Sequence, residues 1–238
     1  MQTEESPTMT TIETFETFET ARPREARFWD RIADRYAAKP VPDAGIYARK
    51  LEITRRYLTP EAQVVEFGCG TGSTAIAHAP HVRQVLATDI SPRMIEIARE
   101  KAREAGTDNV QFEVTSVAEM RQPPESVDAV LGLSILHLVP DLDATLATVR
   151  DMLKPGGVFV SSTACLGDGM TWFAPVLTLG RVFGVFPPVT MLRVQGLRDA
   201  LMRHGFALEE DWPTGDGRTW FSVARRAGRA QGGGRGSR

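Results

Sequence analysis

Apolar and polar positions along this chain fall into blocks whose period changes. Between residues 24 and 39, Phe28, Trp29, Ile32, Ala33 and Tyr36 recur at helical spacing and mark one face of a helix. A second such face, through Ile46, Tyr47, Leu51, Ile53 and Leu58, is stopped by Pro60. The next block is different. Val64 and Val65 lead through Glu66 and Phe67 into Gly68, Gly70 and Gly72, and Ser73 to Ile76 then opens a short helix ending at Pro80. That order predicts a buried strand, a tight turn and a helix start.

The pattern then repeats. Val82 to Ala87 predicts a strand closing on Thr88 and Asp89. Ser91 and Pro92 make an N-cap with proline at the first helical position, and the helix runs through Met94, Ile95, Ile97, Ala98, Ala102 and Ala105 to a C-cap at Gly106. Val110, Phe112 and Val114 alternate with polar residues, as in a less buried strand near a sheet edge. Asp128 to Leu133 predicts another strand, followed by the loop 134–137, a helix from Asp141 to Leu153, a Lys154-Pro155-Gly156-Gly157 turn and a strand from Val158 to Ser162. Strand–helix repetition with short connections predicts an α/β fold with an open, Rossmann-like, doubly wound parallel sheet.

After that strand the repetition breaks. Residues 166–193 are rich in large apolar side chains, but Gly180, Arg181 and Gly184 interrupt them, and a membrane span needs roughly 20 consecutive apolar residues. This block therefore reads as a helical cap over the ligand end of the sheet, with contact at a membrane surface as the minor alternative. Leu197, Leu201 and Met202 continue as a helix to Gly205, and Phe206–Trp212 and Thr219–Ala224 predict two closing antiparallel strands around a glycine-rich turn.

Composition changes this picture little. The 238 residues are 42% hydrophobic and 24% charged, with a formal net charge of -2, so one domain with a full core is expected and no bulk attraction to nucleic acid. Residues 1–20 carry Glu4, Glu5, Glu13, Glu16 and Glu19 and no apolar signal core, and read as a disordered leader. The Gly/Arg-rich residues 227–238 read as a flexible tail, leaving 21–226 as a single domain with N-terminal helices over 21–59. Cys69 and Cys165 form no CxxC and no framework, which favours a reducing, cytoplasmic setting, and no His/Cys cluster suggests a metal.

The chemistry concentrates where an open α/β sheet binds ligands, beyond the carboxyl ends of its strands. Glycines at alternate positions let a ligand approach the backbone, and the helix start after them offers unpaired N–H groups. Asp89 ends the second strand, where a carboxylate can accept both hydroxyls of a ribose. A nicotinamide dinucleotide is the obvious rival. Its GxGxxG spacing would put glycine where this chain has Ser73, and Glu66 would repel a pyrophosphate while suiting a cationic amino-acid moiety.

Four segments in order, Val-Val-Glu-Phe-Gly-Cys-Gly-Thr-Gly (64–72), Ala-Thr-Asp-Ile-Ser (87–91), Ser-Val-Asp-Ala-Val-Leu (126–131) and Leu-Lys-Pro-Gly-Gly (153–157), resemble the motifs of class I S-adenosylmethionine-dependent methyltransferases. The resemblance spans about residues 60 to 163. With Phe-Trp-Asp-Arg-Ile-Ala-Asp-Arg-Tyr at 28–36, it is nearest to the small-molecule enzymes of ubiquinone and menaquinone biosynthesis. It implies a seven-stranded sheet with the last strand antiparallel and S-adenosyl-L-methionine as cofactor. Gly68, Gly70 and Gly72 would cradle its methionine part, Glu66 would sit near its amino group and Asp89 would hold the ribose. Ile90 would pack on adenine, with Ser116 and Val117 at its edge and Leu133 at the end of the fourth strand. Many relatives carry Asp where this chain has Ser116, so the contact to the adenine amine would fall to backbone N–H groups.

In methyl transfer the activated group comes with the cofactor, and the protein aligns the acceptor and excludes water. A base is needed only if the acceptor must lose a proton, and His137, in the loop after the fourth strand, is the first candidate, with Tyr36 second. His78, His81 and His204 need no function. The apolar block 166–193 points to a small apolar or aromatic methyl acceptor, or else serves as packing or as a surface between two copies of the chain. No Asn-Pro-Pro-Tyr-type sequence follows the fourth strand, and a nucleic-acid substrate is not expected. The competing classes are an NAD(P)-dependent oxidoreductase and a protein that binds S-adenosylmethionine without catalysis.

Overall fold

A computed structural model describes residues 24–169, 189–215 and 217–228. The expected leader, nearly all of the tail and most of the cap, residues 170–188, lie outside the described residues. Two helices, α1 (Arg24–Ala37) and α2 (Ala44–Arg55), precede β1 (Gln63–Phe67). Then come α3 (Ser73–His78), β2 (Gln84–Asp89), α4 (Pro92–Glu104), β3 (Val110–Val114), β4 (Val127–Leu133), α5 (Leu142–Met152) and β5 (Leu153–Ala164). The chain closes with α6 (Val194–Arg203), β6 (Phe206–Thr214) and β7 (Thr219–Arg226).

The strands form one seven-stranded sheet in the order β3-β2-β1-β4-β5-β7-β6. Neighbours from β3 to β5 are parallel, and β7 runs antiparallel to both β5 and β6. The chain winds outward from β1 to β3, returns to β4 on the other side of β1, and so leaves a crevice beyond the carboxyl ends of β1 and β4. The expected sheet, with its last strand antiparallel, is the one found. Pairing of the closing strands was legible; the insertion of β7 between β5 and β6 was not.

Alternation along each strand splits the core into two layers. Val65, Phe67, Val130, Phe159, Leu146 and Leu201 pack on one face, and Val64, Val85, Ala129, Leu131, Val160 and Phe221, with Ile53 and Ile95 from the helices, on the other. Full burial of each such side chain stabilises by about 1.5–3 kcal/mol. Ser91 caps α4 as expected, its hydroxyl accepting from Met94 N–H at 3.1 Å. β3 is the edge strand its alternation predicted, with only Phe112 buried. Trp29 packs with Ala33, Met94 and Ile97 between α1 and α4, whereas Tyr36 on the same helix is 50% exposed.

One expectation needs correction. The Lys154–Gly157 turn is not a free connection but a bulge inside β5. Leu153 pairs with Val127 and Val158 with Ala129, so four residues are accommodated opposite Asp128. Lys154 Nζ binds both Asp128 carboxylate oxygens at 2.8 Å, and one of them also accepts from Gln63 N–H at 2.9 Å. Two of the four motif segments are thus bolted together at the entry ends of β1 and β4, away from the crevice.

Candidate functional site

After β1, the chain turns through Gly68, Gly70 and Gly72 at φ of 66°, 53° and 75°. Cys69 N–H donates to Thr88 O at 2.9 Å and ties the turn to β2. A Cβ on Gly72 would lie 2.8 Å from Ala98 Cβ and from Phe112 Cε1, so this glycine is required by packing under the turn. A Cβ on Gly70 would meet nothing closer than Tyr36 Cε1 at 4.0 Å. The backbone there is open on its outer side, with the Tyr36 ring standing over it.

Asp89 closes the cradle. One carboxylate oxygen accepts from Gly70 N–H and the other from Ser91 N–H, each at 2.9 Å. A carboxylate oxygen has two lone-pair sites, so each retains one for a ligand hydroxyl. Burial pushes the Asp89 pKa up, while the backbone donors pull against it. Sequence reasoning missed Asp30 on α1, whose carboxylate accepts from Ser91 Oγ at 2.6 Å and from Arg93 N–H at 3.1 Å. Its one local signal was an acidic residue on the buried side of an aromatic helix; its partners lie about sixty positions away.

Glu66 is 3% exposed, and its Oε2 has no hydrogen-bond partner among the described residues. Burial, with the Asp89 charge adding to it, raises its pKa to about 8. A buried polar atom without a partner is costly. A ligand ammonium group is the donor this carboxyl lacks, so the residues present fit the methionine end of S-adenosylmethionine: an open glycine backbone, a diol-accepting aspartate and an unpaired acid. Tyr47 on α2 stands nearby, its hydroxyl 3.3 Å from Thr74 Oγ1.

The remaining expected residues lie at the same end of the sheet. Ile90 follows Asp89 and is half-buried. Thr115 N–H donates to Asp89 O at 3.1 Å, which brings the 115–117 loop to the end of β2. The Ser116 hydroxyl is engaged with Glu119, and the Val117 side chain is packed in the core. Leu133 ends β4, and Ile135 just beyond it presses on Gly68. His137 is half-buried, Nδ1 lacks a hydrogen-bond partner among the described residues, and burial lowers its pKa to about 4. It is therefore neutral near pH 7. Its carbonyl accepts from Thr190 N–H at 2.8 Å, and Leu192 O accepts from Gly167 N–H at 2.8 Å, so both flanks of residues 170–188 are anchored beside the crevice.

This sheet order, with a glycine turn after β1 and an acid ending β2, is a Rossmann-like fold shared with solved methyltransferases. Residues 64–157 match the family model of the methyltransferase domain. The ubiquinone biosynthesis O-methyltransferase of Xanthomonas campestris pv. campestris (strain B100) is 35% identical over 112 residues, 47% of this chain and 46% of that protein. The chain thus matches about half the length of this curated relative. Among solved structures, YcgJ of Bacillus subtilis superposes with a TM-score of 0.61 at 22% identity, over 69% of this chain and 72% of that one. The geranyl diphosphate C-methyltransferase of Streptomyces coelicolor A3(2), solved with Mg2+, geranyl diphosphate and S-adenosyl-L-homocysteine, superposes with a TM-score of 0.66 at 17% identity, covering 87% of this chain and 99% of that one. The resemblance read from the four motifs is borne out over residues 64–157, which match the methyltransferase-domain model, and the solved structures share the fold. No described helix is long and apolar enough to cross a membrane.

Proposed function

We propose that the chain is an S-adenosylmethionine-dependent methyltransferase acting on a small molecule. The observation that carries this is the unpaired, buried Glu66 carboxyl beside an open glycine backbone whose Gly70 N–H is held by Asp89. In this reading Gly68, Gly70 and Gly72 line the methionine part, Glu66 receives its ammonium group and Asp89 accepts the ribose hydroxyls. Ile90, Ser116, Val117 and Leu133 border the adenine and the methyl end, and Tyr36 stands over the turn as a lid rather than as a base. The bound cofactor supplies the activated methyl group; the chain's part is to hold it, orient the acceptor and keep water out. His137, neutral and with Nδ1 buried and unpartnered among the described residues, is the candidate base for an acceptor proton. The names of the two methyltransferases compared above, one of ubiquinone biosynthesis and one acting on geranyl diphosphate, support a small acceptor, and the apolar residues of 166–193 support an apolar or aromatic one. Two free, buried cysteines fit a cytoplasmic setting.

Thermal unfolding tests the cofactor directly. S-adenosylmethionine and S-adenosylhomocysteine should each raise the melting temperature, by the equivalent of about 2.7 kcal/mol at a hundredfold excess over Kd. NADH should not. Asp89→Ala should weaken the shift by at least about tenfold in apparent Kd, from two lost hydrogen bonds to a charged group. A shift with NADH alone, or an unchanged Asp89→Ala, overturns the assignment.

A further inference from the structure

Helix α2 presents Ile46, Tyr47, Lys50, Ile53 and Thr54 toward the sheet at helical spacing. Ile53 and Thr54 are buried, 4% and 2% exposed, yet the position one turn earlier holds a lysine where the pattern calls for an apolar residue. Lys50 is half-buried, and its Nζ donates to Ser162 Oγ at 2.8 Å. Ser162 itself is 1% exposed. No carboxylate lies within ion-pair distance of Lys50 among the described residues. Asp43 acts on it only through its charge, its own carboxylate accepting from Ile46 N–H at 2.8 Å as the cap of α2. An ammonium group has three donors, and one goes to Ser162.

The register shows where that cation stands. Glu66 pairs with Leu131 on β4, and Leu133, two residues on and so on the same face, pairs with Ser162 on β5. Lys50 therefore lies on the face of the sheet that carries Glu66, at its carboxyl end and displaced by two strands, about 10 Å at the usual strand spacing. The cradle occupies the ends of β1 and β2; Lys50 stands over the end of β5, across Leu133 from Glu66. The flanks of residues 170–188, at Gly167 and Leu192, attach beside this same end of β5.

We propose that Lys50, positioned by Ser162, binds an anionic oxygen of the methyl acceptor, which makes the acceptor an apolar or aromatic molecule bearing a carboxylate or an ionised phenol. This rests on the methyltransferase reading of the cradle. Charge-assisted hydrogen bonds are the strong ones in a partly dry site, and a lysine without a carboxylate partner among the described residues has its charge to give. The structural alternative is a lysine that only satisfies Ser162, and it predicts no discrimination between charged and neutral ligands.

Benzoate and benzamide, matched in shape and different in charge, are the probes. Each is titrated by calorimetry into the protein saturated with S-adenosylhomocysteine. Benzoate should bind at least about tenfold more tightly than benzamide. K50M should lose that preference and K50R keep it, with the affinity for S-adenosylhomocysteine unchanged within about twofold, since Lys50 is not in the cradle. K50Q retains a donor for Ser162 without the charge, and serves if K50M proves unstable. Equal binding of the two probes, no binding of benzoate to the loaded protein, or a preference that survives in K50M and K50Q overturns the proposal. Failure of S-adenosylhomocysteine itself to bind overturns the cofactor assignment instead, and this proposal with it.

Discussion

Glu66 offers a measurement that joins stability to ligand binding. Its carboxyl sits at a pKa of about 8 in the folded chain against an ordinary 4.5. Below pH 4.5 it is protonated in both the folded and unfolded states, and stability is at its full value. Between 4.5 and about 8 the unfolded chain has released the proton while the folded chain retains it, so stability falls as pH rises, by about 1.4 kcal/mol per pH unit. The gap of about 3.5 pH units sets a ceiling of about 5 kcal/mol on the loss complete above pH 8. Urea unfolding of the ligand-free protein and of Glu66→Gln from pH 5 to 9 should differ by that slope, because the opposing slopes of His78 and His137 below pH 6.5, both lowered by burial, are common to both proteins. An ammonium group bound at Glu66 favours the ionised carboxyl. Binding of S-adenosylhomocysteine near pH 7 should therefore release close to one proton, seen as a binding enthalpy that changes with the ionisation enthalpy of the buffer. Glu66→Gln should abolish the release and weaken binding. Parallel stability curves for the two proteins, or a binding enthalpy indifferent to buffer, refute the role given to Glu66.

Two further outcomes follow from the geometry. Gly72→Ala combines a left-handed backbone with a Cβ 2.8 Å from Ala98 and Phe112, and should cost about 2–5 kcal/mol in urea unfolding; Gly106→Ala, at φ 63° with nothing within 4 Å, should cost only the backbone part of about 1–2 kcal/mol. Equal losses at the two positions would show that packing under the turn is unimportant. Once an acceptor is in hand, His137→Ala should lower kcat by about a hundredfold and remove an acid limb near pH 4 from the rate profile, leaving S-adenosylhomocysteine affinity unchanged. An unaltered pH profile would remove His137 from the reaction.

What sequence reasoning recovered was local in origin. The Ser91-Pro92 helix start, the β3 alternation and the glycine turn each depend on a few neighbouring residues, and each appears where expected. The placement of Asp89 was legible because a strand ending in an acid carries its geometry with it. Asp30 was not, because its partners Ser91 and Arg93 are brought to it only when α1 docks on α4. The bulge in β5 escaped for the same kind of reason. Lys-Pro-Gly-Gly does turn, but whether the strand resumes the same ladder depends on Asp128 and the β4 register. Tyr36 shares its helical stripe with Trp29, and only the position of the glycine turn separates a packed ring from one standing over the site.

The insertion of β7 between β5 and β6 bears on the order in which this domain assembles. Among the described residues β6 pairs only with β7, and β7 alone joins it to the rest of the sheet. The two are adjacent in sequence and close a hairpin cheaply, whereas β5 lies some fifty residues upstream of its partner β7 and the loop between them is costlier to close. The hairpin can therefore form as a unit and dock through its β7 edge onto an already assembled β3-β2-β1-β4-β5 platform. Arg226 at the far end of β7 completes that docking: it is 6% exposed and binds the Leu153 carbonyl and, at 2.8 Å, the Glu125 carboxylate. The glycine turn and Asp89, which form the cofactor cradle, are built from elements upstream of that hairpin and make no strand pairing with it.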